Sequence, residues 1–350
     1  WGYAFFCTLF MGGLFFVGLH HVTGAVWSTL LRRVGEMFAA PVVPAAVLFL
    51  PVLLFALLGG TTGLYPWVDH GGDPVIAGKE AWLNLPFFIL RVVVYFGLWW
   101  LYVRLLLRPS LATDHGADVA AAARTMRRRS AHFMLVFAAT ASFAAIDWLM
   151  SLEPHWYSTI FPVYVFAGMV LTALAAITLV VLRLRRRPGS GLEKVKKDHL
   201  YNLGALQFAF TCFWAYIAFS QYMLIWYANI PEETIYFVHR LEHGWQPVTI
   251  ALAVLRFGVP FLLLLPRRAK MDPRVLALSS ILLIAGQLLD LYWLIAPQLS
   301  PGGPRFGWPD LGPLLLVGGV ILLWIGRFAR AHPMVAAGDP DHERSCEFHL

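Results

Sequence analysis

The chain has 350 residues, of which 59% are hydrophobic and only 13% charged, and its formal net charge is +7. Soluble domains are about half apolar and a quarter charged, so this composition excludes an ordinary soluble enzyme and points to a membrane protein. The surplus positive charge is no argument for nucleic acid as a partner, because its placement along the chain follows membrane orientation.

A bilayer core about 30 Å thick is crossed by a helix of roughly 20 apolar residues. Nine stretches qualify, near residues 3–27, 39–59, 83–107, 131–150, 159–182, 201–226, 246–266, 275–296 and 311–329. The expected fold is all-α, a single polytopic membrane domain with a polar tail over 330–350. Of the 27 Lys and Arg residues, 21 fall in the connections holding Arg32 and Arg33, Arg108 to Arg129, Arg183 to Lys197 and Arg267 to Arg274, or towards the C-terminus. The intervening connections carry only Lys79, Arg240 and Arg305, against eight acids. The positive-inside rule makes the basic set, and the C-terminus, cytoplasmic. Trp1 then lies outside, and with no basic leader before the first span the expectation is one further span ahead of it, ten in all.

In chain order, the first span ends in GLHHVTGAVWSTLLRRVGE, with His20 and His21 in its inner half. The second carries Pro41, Pro44 and Pro51, which neighbouring helices can accommodate in a membrane. A Gly- and Pro-rich outer loop, TTGLYPWVDHGGDPVIAGKEAW, is long enough to cap a partner. DHGADVAAAARTMRRRS reads as a short basic surface helix, and PGSGLEKVKKDH as a flexible turn. NIPEETIYFVHRLEHGW reads as an outer surface helix N-capped by Asn229, with Pro231 in its first turn, Glu232 and Glu233 at its positive end, and Gly244 at its close. His239 and His243 share a face of that helix; with no third ligand, a protein interface or lipid headgroups are the expected contact. Cys7, Cys212 and Cys346 form no CxxC or CxxCH motif, so no covalent haem, cluster or metal is expected in this chain, and the tail around Cys346 reads as solvated.

Charges inside a membrane are expensive and face the bundle interior, a cavity or one another. Here they are Arg91, Asp147, Arg256 and Asp290. At 1.5 Å rise per residue, Arg91 lies roughly 12 Å, Arg256 about 15 Å and Asp290 about 9 Å below the outer surface, with Asp147 shallower. Arg91 with Asp147 and Arg256 with Asp290 are therefore feasible pairs, either inert ties between helices or parts of a proton route. The sixth span adds a polar stripe: Asp198, His199 and Tyr201 open it inside, and Gln207, Thr211, Ser220, Gln221 and Tyr222 continue it. Aromatic residues crowd the span ends as an interfacial belt, and a quinone head has stacking partners among Trp148, Trp156 and Trp226.

Three segments, HHVTGAVWSTLLRRVGE, AIDWLMSLEPHWYSTIFPVYVFAG and FWAYIAFSQYMLIWYANIPEET, together resemble the ActF membrane subunits of bacterial alternative complex III. These complexes are quinol:cytochrome c (or high-potential iron–sulfur protein) oxidoreductases of the bacterial inner membrane, and their ActF subunits are related to NrfD-type membrane subunits. The resemblance implies ten helices, largely in two four-helix bundles. It implies haems and iron–sulfur clusters in partner subunits, a multihaem cytochrome and an iron–sulfur protein, with quinol oxidation assigned to a paralogous ActC-type subunit. Menaquinone or menaquinol and membrane lipids are the non-covalent ligands it implies. It carries Asp147, Glu153 and His155 from the second segment, His20 and His21 from the first, and Tyr222, Glu232 and Glu233 from the third into a proton path. The sequence reading is thus a subunit of a respiratory quinol-oxidising complex that supplies a proton path and a docking surface. A direct quinol-oxidising subunit, a stand-alone secondary transporter and a pure scaffold remain open alternatives. The transporter reading needs broken helices at mid-membrane and an inverted repeat. Prolines are present, but no such repeat is visible.

Overall fold

The computed structural model describes residues 1–58, 64–69, 72–300 and 302–350. Among them the chain is helical with no strand, and nine helices are long and apolar enough to span a membrane: α1 Gly2–Thr23, α2 Val26–Leu57, α3 Leu85–His115, α4 Val119–Leu152, α5 Phe161–Leu184, α6 Lys197–Ala228, α7 Gln246–Leu264, α8 Pro273–Leu299 and α9 Trp308–Ala331. The protein is a multi-pass membrane protein. Residues 59–63 and 70–71 of the Gly- and Pro-rich loop lie outside the described residues.

The helices pack in two groups. In the first, α1 packs on α2 and α4, and α3 on α4; in the second, α5 packs on α6 and α8, and α7 on α6 and α8. The groups meet where α1 crosses α5, and 72% of the apolar window of each of these two helices is buried, more than in any other span. Gly12 makes that crossing close. A Cβ on it would stand 2.5 Å from Ala173 Cβ and 2.6 Å from the Met169 carbonyl oxygen, the small-residue contact by which membrane helices approach. Helix α9 lies against α1.

Local chemistry explains the irregular helices. Around its prolines α2 divides into Thr29–Ala39, Val42–Leu48 and Leu50–Leu58. Helix α7 contains a π-turn at Val254–Gly258, just before Pro260. The expected basic surface helix is not separate: Val119–Trp148 is one helix, capped by the Asp118 carboxylate on the Ala121 N–H. Nothing between 119 and 148 breaks a helix, so the basic stretch simply extends α4 beyond its apolar part. Asn229 does not N-cap the outer helix either. It closes α6 in the left-handed region at φ 50°, a conformation Asn tolerates, and Ile230 is held extended before Pro231. The surface helix runs Pro231–Val238, so it ends before His239 and does not place His239 and His243 on one helical face.

Side-chain contacts sort the connections onto two faces. One face gathers Trp27, Arg33, Ser110, Asp114, His199 and Ser345, the other Glu153, His155, Arg240 and the end of α8. The first is the basic face. The tail is folded across it, while Glu343, Arg344, Glu347, His349 and Leu350 around Cys346 stay exposed as expected. Val335, Ala336 and Ser345 are buried, Asp339 pairs with Arg32 at 2.6 Å, and the Ser345 hydroxyl donates to the Trp27 carbonyl at 3.3 Å.

Candidate functional site

The two Arg–Asp pairs that the depth arithmetic matches both form, Arg91–Asp147 in the first helix group and Arg256–Asp290 in the second. In the first group Arg91 grips Asp147 in two places, Nε to Oδ2 at 2.7 Å and Nη2 to Oδ1 at 3.0 Å. The Tyr95 hydroxyl donates to Oδ2 at 2.7 Å and the Trp82 indole to Oδ1 at 2.9 Å. Asp147 is fully buried, and with two acceptors filled at each oxygen its carboxylate is saturated. The remaining Arg91 nitrogen, Nη1, donates to the Trp82 carbonyl at 3.1 Å.

The second pair is built more sparsely. Arg256 sits on the π-turn of α7, a local widening of the helix that recurs at functional sites. Two glycines make room for it. A Cβ at Gly168 of α5 would stand 2.6 Å from Arg256 Nη2, and one at Gly286 of α8 would stand 3.1 Å from Arg256 Cβ. Arg256 Nη1 lies 3.2 Å from Asp290 Oδ2, Nη2 donates to Gln287 Oε1, and the ring of Trp214 lies 4.8 Å from the guanidinium. The Tyr164 hydroxyl donates to Asp290 Oδ1. Both charged groups are buried, yet Arg256 Nε has no hydrogen-bond partner among the described residues, and Nη1 meets Asp290 as an ion pair without hydrogen-bond geometry. A buried guanidinium with unpaired donors is an expensive arrangement. It leaves hydrogen-bonding capacity at mid-membrane that the Arg91–Asp147 pair does not have.

Polar side chains extend this second centre towards the basic face. Gln207 Nε2 donates to the Thr178 hydroxyl at 2.6 Å and the Ser280 hydroxyl at 3.1 Å. Gln207, Thr211 and Trp214 follow one another on a face of α6 at helical spacing, as Ser280, Gln287 and Asp290 do on α8. Thr211 and Ser279 are fully buried with hydroxyls that have no partner among the described residues. At the basic end His199 is buried, its Nδ1 accepting the Lys196 N–H at 3.1 Å and its Nε2 3.0 Å from the Ser345 carbonyl. Asp198 pairs with His349 of the tail at 3.6 Å.

The other sequence candidates are scattered. His20 bonds through Nδ1 to the Phe16 carbonyl at 2.7 Å, and His21 Nε2 has no partner among the described residues; both lie in the basic half of α1, and a buried cluster of Arg33, Glu36, Asp114 and Ser110 ties α2 to α3. Tyr222 does not join the polar line. It is 38% exposed and packs edge-on against Phe237. Glu232 is exposed, and Glu233 shares the first turn of the surface helix. His155 is exposed and pairs with Asp73 at 2.6 Å, and that bond holds the Asp73 carboxyl below its usual range. Nor do the three tryptophans gather. Trp148 packs among Phe49 and Phe96 beside a cleft of about 360 Å³ between α1, α4 and α5. Trp156 is buried and stacked on Tyr236 at 3.9 Å, and Trp226 is 66% exposed.

Glu153 is bound to the opposite face. Arg240 Nη2 reaches its Oε1 at 2.6 Å, and His239 Nδ1 its Oε2 at 3.9 Å. Burial raises the Glu153 pKa, but Arg240 and His239 outweigh it and leave the carboxyl below its ordinary value. Arg240 also donates to the carbonyls of Tyr236, Trp293 and Leu294, so four of its five N–H donors are taken up.

Tyr164, Tyr95, Trp82, Thr178, Ser280 and the two glycines around Arg256 complete these centres without a motif of their own, whereas Gln287 is visible in the sequence one turn from Asp290. Only the depth of the buried charges marks where such partners must be. No protein-family model and no curated protein matches this sequence.

Proposed function

We propose that this chain is an integral membrane subunit of a respiratory quinol:electron-acceptor oxidoreductase of the alternative complex III type, embedded in a bacterial inner membrane with its basic face and C-terminus cytoplasmic. Its part is to carry protons along the second helix group and to dock the redox subunits. The observation that carries this reading is the line of buried polar groups from Gln207, Thr178 and Ser280 to Gln287, Arg256, Asp290 and Tyr164, ending in an aspartate whose arginine partner has unpaired donors. Intramembrane acids in such surroundings serve proton relays. Asp290 is the exchanging group, and the Tyr164 hydroxyl donates to it. The saturated Asp147 is a tie between α3 and α4. The resemblance of the three sequence segments supplies the partners: a multihaem cytochrome, an iron–sulfur protein and an ActC-type quinol-oxidising subunit.

The test is composition. The chain, tagged and extracted from its native membrane in mild detergent, is expected to bring with it subunits that stain for haem and contain iron and sulfide. A clean monomer without redox subunits contradicts the complex.

A further inference from the structure

A second cavity, about 600 Å³, opens between α6 and α7 beneath the surface helix Pro231–Val238. Its volume falls within the range of small-molecule sites. Its mouth carries Tyr216, Phe219 and Tyr222, exposed on α6, and Phe257 and Phe261 line it from α7. Its innermost wall includes Tyr164, whose hydroxyl donates to Asp290.

Two observations define the occupant. Gln221 lines the cavity and is 5% exposed, yet its Nε2 has no hydrogen-bond partner among the described residues. A buried amide donor left unpaired is costly, so the cavity is built for a ligand with a hydrogen-bond acceptor. The one cationic side chain on the wall, Arg240, is already held by Glu153 and three backbone carbonyls, so a phosphate headgroup finds no free cation here. Aromatic walls, the unpaired Gln221 amide and the Trp214 indole N–H, likewise without a hydrogen-bond partner among the described residues, fit a planar head bearing carbonyl groups on a long hydrocarbon tail. We infer that the α6–α7 cavity is a binding site for an isoprenoid quinone, with a quinone carbonyl on the Gln221 amide and the ring among Tyr222, Phe237 and Phe257. This site is separate from the Trp148, Trp156 and Trp226 positions. It rests on the proposed function only in taking quinone as the available amphiphile, and it places the ring one tyrosine from the buried Asp290.

The test uses the full chain in phosphatidylcholine nanodiscs and a photoreactive azido-menaquinone, with labelled peptides mapped by mass spectrometry. Labelling is expected within 212–222 and 249–261, displaced by excess unlabelled menaquinone and not by phosphatidylglycerol. Gln221→Leu is expected to raise the half-saturating concentration about tenfold, the equivalent of one hydrogen bond. Ala218→Trp, which fills the cavity from α6, is expected to abolish the labelling. Labelling spread over other helices, equal displacement by phosphatidylglycerol, or labelling indifferent to both variants overturns the site. The labelling pattern of the unmodified chain decides the matter even if a variant fails to fold. None of these outcomes bears on the proton-to-electron ratio, so failure here and failure of the proton path are told apart.

Discussion

Asp147 and Asp290 are both buried aspartates facing an arginine, and what else reaches them sets their roles. Asp147 accepts from Arg91 twice, from Tyr95 and from Trp82. Adding a proton to it breaks at least one of these bonds and leaves Arg91 uncompensated. Removing one partner of a buried pair costs about 3–5 kcal/mol, so Asp147→Asn is expected to lower unfolding stability by about that amount; denaturant unfolding of the purified protein in detergent measures it, and an unchanged midpoint contradicts the tie. Glu153 gives a prediction in pH. Its folded pKa lies below the ordinary 4.5, so its contribution to stability is fully present above that value and is lost as pH falls through the folded pKa. This group therefore adds no slope to the melting temperature between about pH 5 and 8 and a falling limb below about pH 4.5. Glu153→Gln is expected to flatten that acid limb, and a limb unchanged in the variant removes Glu153 as its source.

At the scale of elements, the irregular stretch of α7 is what places Arg256. The π-turn at Val254–Gly258 precedes Pro260, whose missing N–H interrupts the regular ladder, and Gly168 and Gly286 leave space on the neighbouring helices. Gly168→Ala sets a methyl 2.6 Å from Arg256 Nη2. Overpacking of this kind costs about 1–3 kcal/mol, and the variant is expected to lose that much stability while displacing the guanidinium from Gln287. Denaturant unfolding reads the first effect, and wild-type stability in Gly168→Ala contradicts the packing. Element boundaries are legible in the sequence where a chemical event ends them. Asp118 and the prolines of α2 are such events. The joint at Asn229 is harder, because the same Asn can cap a following helix or close a preceding one, and the bend before Pro231 decides. The basic start of α4 is illegible to an apolar-span reading, since hydropathy marks where a helix enters lipid and not where it begins.

At the scale of the whole molecule, the two faces follow from charge alternation, and the contacts gather the same connections. Orientation is testable directly. Lys196→Cys is expected to react with an impermeant maleimide only from the cytoplasmic side, and His239→Cys only from the other; the reverse pattern inverts the proposed topology. The spans and the two Arg–Asp pairs are readable from sequence because burial of a charge leaves few possible partners at each depth. Tyr164, Thr178 and Ser280 are not, because neutral polar residues occur in spans without periodicity and acquire meaning only from what they face. The folded tail is equally hidden, since its polar composition reads as solvated until Asp339 meets Arg32.

The central claim is that Asp290 exchanges protons on a path across the second helix group. Its most direct test reconstitutes the assembled complex in liposomes with Asp290→Asn, which keeps size and much of the hydrogen bonding while removing the titration. Acceptor reduction and external pH are followed together. The expected result is quinol oxidation largely retained with fewer protons translocated per electron than in the unmodified complex. An unchanged proton-to-electron ratio, in a complex whose subunit gel shows full assembly, contradicts the relay.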